Sequence, residues 1–249
     1  MEIFYLYNSG FAIELDNDAL IIDYYRGSLG KSWKAPLDKH PSEYRAVYVL
    51  ASHVHGDHYN RVIFDWLSER ADIHYILSDD IRHAVPTTFL RAGKGREMSH
   101  TVDFIGDGGR LRIGNLDICA FGSTDAGVSF HITAGDGTSI FHAGDLNYWH
   151  WRNESTDSEV AEAYAMFARE LEKIKNGIKN IDVAFFPVDP RMANDYYRGA
   201  VLFCETMKPS LMIPMHFSAE FAPPQDFFKE ISVYTKVVHV GPGAGRLTF

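Results

Sequence analysis

Between Val47 and His58 an apolar run, Val-Tyr-Val-Leu, ends in Ala-Ser-His-Val-His-Gly-Asp-His. His53, His55, Asp57 and His58 are all metal-ligating types. Imidazole nitrogen and carboxylate oxygen suit zinc, iron or manganese, and the lack of thiols argues against a purely structural zinc site. His53 and His55 lie two apart, so an extended backbone points them the same way. Gly56 is expected to let the chain turn and present Asp57 and His58 as a second set. The chemistry of such a cluster is hydrolytic: a divalent ion lowers the pKa of water toward about 7 and polarises a carbonyl or phosphoryl oxygen. A histidine-rich surface loop would not need to follow a buried strand.

The elements around this stretch must position it. The run before it reads as a central strand, and the loop at a strand's end is where α/β folds carry chemistry. Upstream, residues 3–7, 11–15 and 19–23 are apolar and separated by Asn8-Ser9-Gly10 and Asp16-Asn17-Asp18, which predicts an antiparallel meander. Downstream, Val62, Ile63, Trp66 and Leu67 recur at helical spacing, and residues 73–77 read as a strand. Ser78 is expected to cap a short helix starting at Asp79 and Asp80. Short strands at 111–113, 116–121, 128–133 and 138–142 make a second meander. The clearest helix covers 155–176, with Thr156 and Glu159 as a capping box and Val160, Ala163, Tyr164, Phe167, Leu171 and Ile174 as its apolar stripe. Strands at 181–186, 211–216 and 237–240 alternate with helices around Ala200 and Phe227. Strand-rich halves followed by helices predict an α/β protein, a four-layer αββα sandwich of two mixed sheets with outer helices, as one domain over 1–249.

The pattern His-x-His-x-Asp-His after a hydrophobic strand resembles the signature of the metallo-β-lactamase-fold hydrolases. Within that superfamily the chain is most similar to the branch with ascorbate-phosphate lactonases and uncharacterised metal-dependent hydrolases. The resemblance implies that Asp57, His58, Asp145 and His216 form one metal position, and that His53, His55 and a shared Asp145 form most of another. It implies one or two divalent ions per chain, zinc first, with manganese or iron as alternatives. The family's further histidine is missing from the loop 122–127, where Ser123, Thr124 and Asp125 are the oxygen donors, and His131 falls inside the next strand. Two readings stay open: Asp125 replaces that histidine, or the first site is weak or empty and the enzyme is mononuclear. Asp57 is expected to orient water and to carry a proton to the leaving group.

Several residues are candidates for substrate. Tyr24 opens an aperiodic stretch, 24–42, that also holds Trp33 and Lys34; it reads equally as a substrate loop or an ordinary surface loop. Asn147, Trp149, His150 and Trp151 follow Asp145 on the expected rim. The tryptophans could stack on substrate or pack under the long helix. Arg191 could bind a carboxylate or phosphate, or pair with Asp189 or Asp195. Residues 91–97 form a basic turn. The 249 residues carry a formal net charge of -9, which argues against a chain-wide nucleic-acid field. No apolar run reaches about 18 residues, so no membrane span is expected. The start lacks signal-peptide character, and Cys119 and Cys204 sit in apolar segments as buried thiols, so a cytoplasmic protein is expected. The partner is then a small, anionic molecule with an ester, lactone or phosphodiester bond; a homo-oligomer stays open. The competing readings are a phosphodiesterase of nucleic acid or phospholipid and a non-catalytic metal- or ligand-binding member.

Overall fold

Asn8 and Asp16 take left-handed backbone conformations, φ 55° and 54°, which short polar side chains tolerate and tight turns require. They fold the N-terminal apolar runs into β1 (Glu2–Tyr7), β2 (Gly10–Leu15) and β3 (Asp18–Ile22). The computed structural model describes residues 1–26, 37, 39–90, 100–151, 154–217, 223–240 and 246–249; Trp33, Lys34 and the basic turn at 91–97 lie outside them. The chain divides into two compact units, Met1–Ile105 with Val240–Phe249, and Gly106–His239.

In the first unit the meander leads into β4 (Ala46–Ala51), β5 (His74–Ser78) and β6 (Thr101–Ile105), all parallel to β3. β4 lies between β3 and β5. That is why its sequence is a continuous apolar run rather than an alternating one. The segment Arg61–Ser68 is a 3-10 helix in place of the expected α-helix, capped by the Asn60 side chain, which accepts from Val62 N. Ile63 and Trp66, three apart, eclipse on one face of the tighter helix and are both buried. A 3-10 turn, Asp79–His83, follows β5, without a side-chain cap from Ser78. A single α-helical turn, α1, spans Thr87–Leu90.

The second unit repeats the plan. β7 (Arg110–Ile113), β8 (Leu116–Gly122), β9 (Val128–Thr133) and β10 (Ser139–His142) are antiparallel neighbours. β11 (Val183–Pro187), β12 (Leu211–Met215) and β13 (Lys236–Val237) then add in parallel. The helices are α2 (Asp157–Gly177), α3 (Arg198–Met207) and α4 (Gln225–Ile231). The capping box of Thr156 and Glu159 starts α2 as expected. Its stripe is buried at Phe167, Leu171 and Ile174, whereas Tyr164 is exposed. A further strand absent from the sequence reading, β14 (Arg246–Thr248), pairs with β1 in the first sheet.

Among the described residues each unit thus holds one seven-stranded sheet, ordered β14-β1-β2-β3-β4-β5-β6 and β13-β12-β11-β10-β9-β8-β7. Each sheet is half meander and half parallel, and parallel strands deliver their following loops to one edge. Both cysteines are free thiols. Among the described residues, no helix is long and apolar enough to cross a membrane.

Candidate metal centre

In the first unit, the C-terminal ends of β3 and β4 lie side by side. Asp23 follows β3 in a left-handed conformation, φ 49°, and is wholly buried. Its Oδ1 accepts from Ser52 N at 2.7 Å, and its Oδ2 accepts from Ser52 Oγ at 2.7 Å and from His58 Nδ1 at 2.7 Å. Ser52 Oγ in turn meets His53 Nδ1 at 3.0 Å. Because Ser52 spends its proton on Asp23, it accepts the one on His53 Nδ1. One carboxylate therefore sets both tautomers, with Nδ1 protonated on His53 and His58 and the Nε2 lone pairs left as ligands.

The donor set fits a metal. His53, Asp57 and His58 each offer an atom within 4.8 Å of the others. The His55 ring lies edge-on to His53, centroids 4.7 Å apart. Asp57 is held by Asn8, whose Nδ2 donates to its Oδ2 and backbone carbonyl at 3.4 Å each. The turn closes through His58 N and Tyr59 N donating to His55 O. Gly56 is not what permits it: its φ is not left-handed, and a side-chain carbon there would meet nothing within 4 Å. The loop is also pinned from the 3-10 turn after β5, since Val54 N donates to Asp80 Oδ2 at 3.0 Å.

The second unit repeats the logic at the ends of β10, β11 and β12. Gly144, φ 53°, turns the chain after β10 so that Asp145 follows directly. His216 directly follows β12 with φ 66°, a conformation costing about 1–2 kcal/mol for a non-glycine residue. It aims Nδ1 at Asp189 Oδ2, 3.1 Å away, and Nε2 at Asp145 Oδ1, 3.2 Å away. Two ligand atoms about one tetrahedral zinc stand about 3.3 Å apart, so this pair also fits a shared ion. Burial opposes ionisation of Asp189, but hydrogen bonds from His216 and Arg191 outweigh it and hold its pKa down to about 2. Asp189 is therefore a permanent anion, fixing His216 as Asp23 fixes His58.

A cavity of about 380 Å³ opens onto Asp145 and His216 and is lined by Asp125 as well. Thr124, Trp149, Trp151 and Arg191 complete its wall. Of the loop donors, Thr124 is committed to structure, its Oγ1 donating to Asn147 O and accepting from Asn147 N. His131 lies within β9 with Nε2 on Ser139 Oγ at 2.8 Å. Among the substrate candidates, Arg191 lines the cavity, while Asn147 and His150 are buried. His150 meets Asp195 Oδ2 through Nε2 and Tyr148 O through Nδ1. Tyr24 is buried against Trp66, ring centroids 5.0 Å apart. Of the supporting residues, Asp23 and Ser52 have no role expected from the sequence, whereas Asp80 is expected at a helix start and Asp189 as a candidate partner of Arg191, which it is. The orienting of His216 by Asp189 and the pinning of Val54 by Asp80 are not expected from the sequence. The available signal was that each is polar and follows an apolar strand.

The chain is similar in structure to a metallo hydrolase from Ignicoccus hospitalis, 19% identical, TM-score 0.65, covering 100% of this chain and 98% of that one. It is also similar to the metallo-beta-lactamase fold protein YhfI from Bacillus subtilis, 12% identical, TM-score 0.61, covering 96% and 95%. A third similarity is to CmlA, a diiron beta-hydroxylase from Streptomyces venezuelae, 13% identical, TM-score 0.54, covering 100% of this chain and 53% of that one. These likenesses show the metallo-β-lactamase α/β sandwich, the fold class expected from the sequence. No curated protein sequence matches the chain. The model of the beta-lactamase superfamily domain matches residues 21–217, and the chain belongs to that family, the metal-dependent hydrolases of metallo-β-lactamase fold.

Proposed function

We propose that the protein is a hydrolase of a small anionic molecule, acting on an ester, lactone or phosphodiester bond. Its ligands are His53, His55, Asp57, His58, Asp125, Asp145 and His216, for one or two divalent ions. The observation that carries this reading is the repeated Asp–His pair. Asp23 and Asp189 each take the Nδ1 proton of a histidine whose Nε2 faces another donor, an arrangement that orients metal ligands. When bound, a divalent ion supplies Lewis acidity and makes water a nucleophile near neutral pH.

The side chains do the rest. Asp57, half-exposed and steadied by Asn8, accepts the proton of the attacking water and returns it to the leaving group. Arg191 attracts the anionic group of the substrate. Zinc is the first choice. Manganese or iron gains support from Asp125, since a carboxylate hardens the ligand set, and from the two irons of the diiron relative. The net charge of -9 supports a small substrate over nucleic acid, and two free thiols support a cytoplasmic setting.

The test is metal content per chain by mass spectrometry, on protein purified without chelator, alongside Asp145→Ala. One or two equivalents, falling in the variant, is the expected result, followed by turnover of lactones or chromogenic phosphodiesters. No uptake of zinc, manganese or iron would overturn the proposal.

A further inference from the structure

The cavity above carries more information than its acidic residues. Two of its walls are indoles. Trp149 and Trp151 lie nearly parallel, 17° apart in plane, with ring centroids 6.3 Å apart. Trp149 is fixed at both ends: Nε1 donates to Asp145 O at 2.7 Å, and its ring sits edge-on to His216 at 5.4 Å. Trp151 is 44% exposed, a large apolar surface that core packing does not require.

The third wall is a positioned cation. Arg191 bonds Asp189 through Nε and Nη2, yet its side chain remains 71% exposed. A guanidinium is a planar fork with donors on more than one edge. Bonded to Asp189 and yet largely exposed, it keeps its orientation and still lines the cavity. Asp189 also takes Nδ1 of His216, so the cation is registered against the same carboxylate that orients the ligand.

We propose that this cavity is a subsite for a planar aromatic anion, with the indoles of Trp149 and Trp151 taking the ring and Arg191 the carboxylate or phosphate. The inference rests on the hydrolase reading in taking the cavity as the place where substrate is held. Parallel indoles favour a flat conjugated group over a saturated one of equal size. Asp125 and Asp145 oppose an anion, so the fixed charge of Arg191 decides which end of the molecule enters beside them.

Benzoate, cyclohexanecarboxylate, benzamide and phenyl phosphate are titrated calorimetrically into the full chain, both chelator-treated and zinc-loaded. Benzoate or phenyl phosphate should bind about tenfold tighter than the saturated acid, the size of one good aromatic contact. The tighter of the two names the anion. Trp151→Ala should reduce the aromatic preference to about twofold or less. Arg191→Gln should erase the preference of benzoate over benzamide, and Arg191→Lys should restore part of it. Thermal melts of the variants confirm that they fold. Equal binding of the aromatic and saturated acids, or no binding of any probe, overturns the subsite, as do unchanged preferences in the variants. Metal content and turnover are measured on the same preparations. A metal-loaded, active protein without these preferences sinks the subsite alone. The preferences in a protein that takes up no metal sink the hydrolase reading alone.

Discussion

Asp23 accepts the Nδ1 proton of His58 at 2.7 Å, with both side chains wholly buried. A carboxylate so placed fixes the imidazole's tautomer and ring plane and raises the basicity of the opposite nitrogen. Through Ser52 the same carboxylate reaches His53, so one residue aligns two ligands of the proposed centre.

Removing that carboxylate should be costly in two separable ways. Asp23→Ala strands the buried Ser52 N and His58 Nδ1, and unfolding in urea should show a loss of about 3–5 kcal/mol. Asp23→Asn keeps the shape, and chelator competition should show metal affinity down about 10- to 100-fold. Unchanged affinity in folded Asp23→Asn would remove the orienting role.

Asp125 lines the cavity with Asp145 and His216, and it is proposed as a ligand in place of the histidine that the family resemblance implies. If it ligates, Asp125→Ala should lower metal stoichiometry while Asp145→Ala lowers it more. Full occupancy in Asp125→Ala would leave Asp125 outside the centre.

Gly199 should tolerate no side chain. A β-carbon there would stand 2.0 Å from Asn147 Oδ1 and 2.9 Å from Tyr148 N. Gly199→Ala must therefore push α3 from the segment that follows Asp145. Overpacking of this kind costs about 1–3 kcal/mol. Chemical denaturation would measure it, and a variant as stable as wild type would contradict the close packing.

Acid should destabilise the second unit through His131. Burial lowers its pKa below the usual 6.5, so the folded state keeps it neutral while the unfolded chain protonates. Between the two pKa values the unfolded state binds more protons, so stability rises with pH there and levels off above about 6.5. His131→Gln should flatten the slope of unfolding free energy just below about pH 6.5. A slope equal to wild type would mean that another group carries the acid sensitivity.

The ligand types and their order along the chain were legible because they need no fold to be recognised. His53, His55, Asp57 and His58 stand within six positions after an apolar run. The capping box at Thr156 and Glu159 and the meander turns at Asn8 and Asp16 were equally plain, since each is a contact between near neighbours. The burial of α2 was legible only in part. Its stripe runs the helix's length, but which end meets a partner is not written in periodicity.

The sequence by itself thus determined the metal-binding chemistry, the alternation of meander and parallel strands, and the family. Tertiary structure decided which ordinary polar residues serve that chemistry. Asp23 and Ser52 meet because β3 and β4 pair in parallel with Ile22 opposite Leu50, and Asp189 meets His216 because β11 and β12 pair with Pro187 opposite Met215. An aspartate at a strand end looks the same whether it caps a turn or orients a histidine. The register of a neighbouring strand makes the difference, and register is a property of the assembled sheet.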